Sequence, residues 1–345
     1  MKILILGASY GSLLSTKLLM AGHDVSLICR EQTATLINEE GTVVRLQLKR
    51  GDDFTTYRSH DLPGTVNALT PEEANPNDYD LIALAMQEPQ YGMPGVRKLM
   101  AKVAAAQKPC LSIMNMPPLP FLRRIEAVRD VDLTDCFSDP GVWDGFEPGL
   151  VSLCSPDPQA FRPPDELANV LQVGLASNFK ATAFASDEHT QMLRQLEADI
   201  SAVRVDGKRV PVKLSVYDSL FVPMAKWSML LTGNYRCVLP EGVQSIRDAV
   251  HGDIELAEKI YNWVDGVAKS LGADGGDLVP FSSYAKAAEN LLKPSSVGRA
   301  VDGGAKQIER VDRVVQKIGA QLHMRLNEVD GVVACIDQRL AQNRA

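Results

Sequence analysis

Apolar runs and short polar breaks alternate along the first thirty residues. Lys2–Leu6 is a short apolar run, and Gly7, Ser9 and Gly11 fall in a tight turn. Ser12–Ala21 then reads as a helix and Val25–Cys29 as a second strand. Leu14, Leu18 and Ala21 share one face of that helix, at i, i+4 and i+7. Gly22 is placed to end it, and His23-Asp24 turn the chain into the next strand. Asp80–Ala85 is a nearly continuous apolar run, the pattern of a strand buried on both faces. The spacing predicts a helix over Pro94–Gln107 and another buried strand over Cys110–Ile113. Strands alternating with helices imply a parallel sheet covered on both faces.

Residues 141–185 are rich in Pro, Gly and aromatic side chains. They are expected to hold outer, more antiparallel strands of the same domain. Asp187–Ile200 reads as a helix. Val203–Val205 and Val210–Leu214 flank Asp206-Gly207, a hairpin signal. Past about Lys213 the period lengthens. Ile254, Ala257, Tyr261, Val264, Ala268 and Leu271 alternate steps of three and four, and Gly272 ends the run. Ile308, Val311, Val315, Ile318 and Leu322 do the same, and no strong strand is expected in this half. The expected class is therefore α/β. A Rossmann-type doubly wound sheet over 1–212 precedes an all-α domain over 213–345. There are no internal repeats and no low-complexity tracts.

The 345 residues, 45% hydrophobic and 23% charged, suit an ordinary globular chain of two domains. A net charge of -7 argues against a nucleic-acid surface. No stretch approaches the ~18 apolar residues needed to cross a bilayer. Ile3–Leu6 is too short for the h-region of a signal peptide, which needs about 7 residues or more. The six cysteines are scattered without C-x-x-C pairs or partner histidines. They read as reduced thiols of a cytoplasmic protein, and not as a disulfide frame or a metal site.

Strand, glycine turn, helix, strand is the opening of a dinucleotide-binding unit. A pyrophosphate has to reach backbone N–H groups at a helix N-terminus, and small residues let it approach. The turn Gly7-Ala8-Ser9-Tyr10-Gly11, continued by Ser12, is one residue shorter than the usual G-x-G-x-x-G. A plain tight connection is the bland reading; position at residue 7, the following helix and a strand ending in Arg favour a cofactor. Arg30 stands where a 2′-phosphate finds a guanidinium and where NAD finds an acid, so NADPH/NADP is the expected cofactor.

Gly-Ser-Leu-Leu at 11–14, Ala-Gly-His-Asp-Val at 21–25 and the strand ending in Arg30 resemble the ketopantoate reductase (2-dehydropantoate 2-reductase) family. The resemblance covers most of the chain, more loosely over 130–210. It implies a Rossmann domain, a helical domain, NADPH as reductant and an active site in the cleft between them. Gln87 takes the place of the family's strand-end Lys, and Gln90 keeps its Gln. Asn115 matches the Asn near the nicotinamide, followed here by Met116, Pro117 and Pro118 instead of glycines. Lys226 and Asn234 match the catalytic Lys and the Asn eight residues later, and Leu230 replaces a second Asn. Eight residues are a little over two helical turns, so both side chains are expected on one side. Ser295-Ser296 match a Ser pair. The family's Glu, at the start of the last long helix, aligns with Gln307, and Glu309 is the nearest carboxylate.

Reducing a 2-oxo acid needs a hydride source, a proton donor and a clamp for the carboxylate. The resemblance assigns the donor to Lys226, orientation of the substrate to Asn115 and Asn234, and a further hydrogen bond to Ser296. Each has a bland alternative: a snorkelling lysine, a helix C-cap at Asn234, an N-cap at Ser295-Ser296 and a solvated helix residue at Gln307. The lost Glu and Asn allow a substrate other than ketopantoate. Competing readings are an opine-type dehydrogenase and a non-catalytic NADPH-binding sensor. A small 2-oxo acid is the expected partner, and a homodimer a further expectation.

Overall fold

The computed structural model describes residues 1–47, 54–156, 159–175 and 177–345. The chain opens with β1 (Lys2–Leu6), α1 (Gly11–Met20), β2 (Asp24–Ile28) and α2 (Glu31–Glu40). β3 (Val43–Gln47), β4 (Phe54–Arg58) and β5 (Val66–Leu69) follow, then β6 (Leu81–Leu84), α3 (Pro94–Ala106), β7 (Cys110–Ile113) and the one-turn α4 (Leu119–Leu122). β8 (Val151–Ser155), β9 (Gln159–Phe161), β10 (Val170–Leu175) and β11 (Phe179–Thr182) lead to α5 (Asp187–Ala202). The hairpin β12 (Arg204–Val205) and β13 (Lys208–Arg209) precedes β14 (Leu214–Tyr217).

Eight strands form one sheet in the order β14-β11-β8-β7-β6-β1-β2-β5. All its pairings are parallel except β8 with β11. Its central strands are apolar throughout because both faces are covered. Ile3, Leu4, Ile5 and Leu6 are fully buried, as are Ile82, Ala83 and Leu84. Each large apolar side chain so buried contributes roughly 1.5–3 kcal/mol.

A second sheet has the order β4-β3-β10-β9. α1 packs against β1, β2, β3 and α5 and therefore touches both sheets. All ten of its residues are buried, including Ser12, Ser15, Thr16 and Lys17. This second sheet corrects the expected outer-strand region. Only β8 and β11 of 141–185 join the main sheet, while β10 pairs with β3, more than a hundred residues earlier, and β9 adds to the other edge of β10. Residues 157, 158 and 176 of that region lie outside the described residues.

The hairpin is also shorter than expected. Asp206 and Gly207 both have positive φ, 50° and 73°, which closes a two-residue turn between β12 and β13. Val210–Lys213 is not a strand, and the next strand, β14, runs parallel to β11. A strand thus follows residue 213, where only helices were expected.

Beyond it lie α6 (Lys226–Met229), α7 (Ile246–His251), α8 (Ile254–Ser270), α9 (Phe281–Ala288), α10 (Ser296–Asp302), α11 (Val311–Gln321) and α12 (Asn327–Arg344). Ala257, Tyr261, Val264, Ala268 and Leu271 are buried, as their spacing requires, whereas Ile254, the first residue of α8, is exposed. The chain divides into two compact units that do not follow a single cut. One holds Met1–Met86, Gln90–Phe121 and Gly141–Asp218; the other holds Gln87–Pro89, Leu122–Pro140 and Ser219–Ala345. Inside the second unit, Arg313 donates to the Asp135 carbonyl and the Lys317 ammonium pairs with the Asp135 carboxylate at 2.5 Å. These bonds attach 122–140 to α11.

Candidate functional site

The main sheet reverses its strand order at β1, with β6 on one side and β2 on the other. In open α/β sheets this switch point, at the carboxyl ends of the strands, is where ligands sit. Gly7 lies there. Its φ of 110° belongs to the left-handed side of the map, and a Cβ on it would fall 2.6 Å from the Ala85 carbonyl oxygen beyond β6. Its N–H donates to Ile28 O at the end of β2, 3.0 Å. The turn is thereby tied to both neighbouring strands.

Helix α1 begins at Gly11 with no side chain capping it, and its first turn contains no acid. Ser9 is exposed, Ala8 buried and Tyr10 half-buried, with the Tyr10 ring edge-on to Phe179 at 6.0 Å. The Ser12 hydroxyl is turned back onto the Ala8 carbonyl. An uncapped helix start with an exposed small residue before it fits a dinucleotide pyrophosphate, which accepts such N–H groups. The shortened turn keeps this feature.

Arg30 is exposed in extended backbone just past β2, at the N-cap of α2. Asn115 is half-buried just past β7, and Gln90 is exposed past β6. Arg162 was missed by sequence reasoning. It follows β9, yet its Nη2 donates to Ala8 O at 3.0 Å across 154 residues of chain. No local pattern foretells this, because the second sheet brings the residue there.

In the second unit, the chain from Lys226 is one helical run of three pitches. α6 passes into a π-helical turn over Leu230–Asn234 and a 3₁₀ turn over Tyr235–Cys237. A π turn holds more residues than an α turn, so the simple eight-residue phase between Lys226 and Asn234 does not apply. Such turns occur often at functional sites. Here it is held by side chains. The Tyr284 hydroxyl donates to Met229 O at 3.2 Å, and the Ser295 hydroxyl donates to Asn234 O at 2.7 Å. Gly233 passes so close to Tyr284 that a Cβ would lie 1.9 Å from its hydroxyl oxygen. Lys226 and Asn234 are both half-buried.

Ser295 is buried and caps α10, accepting from Gly298 N at 2.9 Å, while Ser296 is the exposed first residue of that helix. The N-cap reading therefore describes Ser295. Gln307 is exposed in the non-helical stretch before α11, and Ile308 is buried there without being helical. This corrects the expected helix over 308–322, whose observed start is Val311. It also removes Gln307 from a helix start.

Glu309 is the residue tied down. The Tyr235 hydroxyl donates to Glu309 O at 2.5 Å and accepts from Val311 N at 3.0 Å. The Glu309 carboxylate accepts from Glu88 N at 3.3 Å. Glu88, beside the exposed Gln87, is buried and accepts from Ser138 N at 2.9 Å, and burial raises its pKa. Of the candidates in this unit, the structure thus brings Asn234 and Ser295 together, and carries Glu309 to Tyr235 on the same helix.

No helix among the described residues is long and apolar enough to cross a membrane. No protein-family model matches the chain, and no curated protein matches it. Solved structures do. A D-mandelate dehydrogenase with NADH and anilino(oxo)acetate matches with a TM-score of 0.66 and 14% identity, over 100% of each chain. A 2-dehydropantoate 2-reductase from Methylococcus capsulatus matches at 0.66 and 15%, over 100% of this chain and 98% of that one. A probable 2-dehydropantoate 2-reductase from Bacillus subtilis matches at 0.63 and 14%, over 98% and 100%. The chain has the fold of the ketopantoate reductases, a Rossmann-type domain followed by a helical one.

Proposed function

We propose that this protein reduces a small 2-oxo acid to the 2-hydroxy acid with NADPH. The observation that carries the reading is the glycine turn and uncapped α1 at the switch point of the parallel sheet. The shared fold supports it, as does the naming of 2-oxo acid reductases among the matched structures. NADPH, when bound, supplies the hydride that adds to the keto carbon. Gly7, Ala8, Ser9, Tyr10, Gly11 and Ser12 line its pyrophosphate. Arg30 meets the 2′-phosphate, and Gln87, Gln90 and Asn115 serve the rest of the cofactor.

As the carbonyl oxygen gains charge, the Lys226 ammonium gives it a proton and so completes the hydroxyl. One proton is taken from solvent per turnover to recharge the lysine. Asn115 and Asn234 orient the carbonyl and the carboxylate, and Ser296 adds a hydrogen bond. Gln307, or Glu309 two residues on, faces the remaining polar group of the substrate. The bonds from Tyr235 to the 309–311 backbone favour Glu309 for that part.

The test is NADPH oxidation with a panel of 2-oxo acids, comparing the wild type with Lys226→Ala. Turnover of one of them by the wild type and its loss in the variant supports the mechanism. Equal rates in the two proteins remove Lys226 from it.

A further inference from the structure

Arg162 and Arg30 follow strands of different sheets, and Arg162 reaches back to the glycine turn. Arg30 lies two residues past β2 of the main sheet, and Arg162 directly follows β9 of the second sheet. One nitrogen of the Arg162 guanidinium is held by Ala8 O, which tethers the group to the turn. The other Arg162 nitrogens make no hydrogen bond among the described residues, and neither arginine forms an ion pair there. The Arg162 pKa is lowered by burial, opposed by the nearby Cys29 thiol and reinforced by the Arg30 charge. Two guanidiniums near each other without a carboxylate repel, and an arrangement of this kind persists at sites that take an anion.

Resting on the NADPH reading above, we propose that Arg162 is a second phosphate-binding residue, which with Arg30 brackets the 2′-phosphate of the cofactor. The position decides between phosphates. A pyrophosphate is served by the N–H groups at the start of α1. Arg162 is electrostatically coupled to Cys29 and Arg30, the residues at the end of β2 where the adenosine ribose is read. A planar fork suits a phosphate oxygen pair better than a lysine does. This chain therefore discriminates NADPH from NADH with two arginines, one of them supplied by its second sheet.

Binding is measured by titrating the full-length protein with NADPH and with NADH, following nicotinamide fluorescence. Arg162→Gln is expected to weaken NADPH about ten- to a hundred-fold, the worth of one charge-assisted hydrogen-bonded pair. NADH is expected to change by less than about three-fold, judged on the same scale. Equal weakening of both, or none, overturns the proposal. A second measurement uses the wild type alone. Phenylglyoxal modification of Arg162, read by peptide mass spectrometry, is expected to be blocked by adenosine 2′,5′-bisphosphate and not by 5′-AMP. Blocking by neither, or by both alike, overturns it. A wild type that binds NADPH with an indifferent Arg162→Gln removes this proposal and leaves the function standing. A wild type that binds neither dinucleotide removes both.

Discussion

Lys17→Met is expected to make the protein more stable at neutral pH. Lys17 lies toward the C-terminal end of α1, with 1% of its surface exposed. Its ammonium donates to Pro211 O at 3.0 Å, and it forms no ion pair among the described residues. Burial first, and the Lys213 charge second, pull its pKa from 10.5 to about 8. That fall corresponds to roughly 3 kcal/mol held against the charged form, at ~1.4 kcal/mol per pH unit. Folded protein thus binds fewer protons than unfolded protein between about pH 8 and pH 10.5. Stability consequently rises with pH across that window, and the full penalty applies below it. Methionine fills a similar volume without charge and leaves Pro211 O to be solvated, which costs about 1 kcal/mol. The net gain at pH 7 is about 2 kcal/mol. Urea denaturation of both proteins at pH 7 and pH 9.5 reads it. The variant should be the more stable at pH 7, and the gap should shrink at pH 9.5. A variant less stable at pH 7, or a gap that does not narrow with pH, refutes the reasoning.

Three other outcomes follow from the second unit. Gly233→Ala drives a Cβ into the Tyr284 hydroxyl, at 1.9 Å, and should lower stability by about 1–3 kcal/mol in thermal denaturation. Replacing Tyr284 by Phe in that background should recover part of the loss, because the clash is with the hydroxyl. Asp312→Ala leaves the buried Arg310, bonded to it at 2.8 Å and 2.9 Å, without its fully buried partner. A loss of about 1.5–3 kcal/mol is expected by urea denaturation, since Arg310 loses two charge-assisted bonds and keeps its ion pair with the more exposed Asp337. Lys226→Ala should lower kcat about 10²–10⁴-fold with KM changed far less, measured on the 2-oxo acid the wild type turns over.

The parts of the fold that were legible were those where one local pattern has one physical solution. Ile3–Leu6 and Leu81–Leu84 are unbroken apolar runs, and such runs are stable only between covering layers. Cys110–Ile113 and the apolar face of α8 read true for the same reason. The short strands β3, β4, β9 and β10 were not legible as a sheet, since β4 and β9 are largely exposed and the pairing that joins the two hairpins, β10 with β3, spans more than a hundred residues. Of the site, the glycine turn was readable because φ of 110° and the closeness of Ala85 O demand Gly7. The π turn was not, because the bonds that hold it come from Tyr284 and Ser295, some fifty to sixty residues away.

Sequence alone therefore determined the opening unit, the parallel class of the sheet and the amphipathic helices. In these, hydrophobic period and turn chemistry act over a few residues. Tertiary structure decided which residues stand together. It set Arg162 over Ala8, fastened Glu309 rather than Gln307 to the Lys226 helix, and enclosed Lys17. Those outcomes depend on how two sheets and several helices pack, and a side chain's pairing across a hundred or more residues leaves no mark in the period of its own segment.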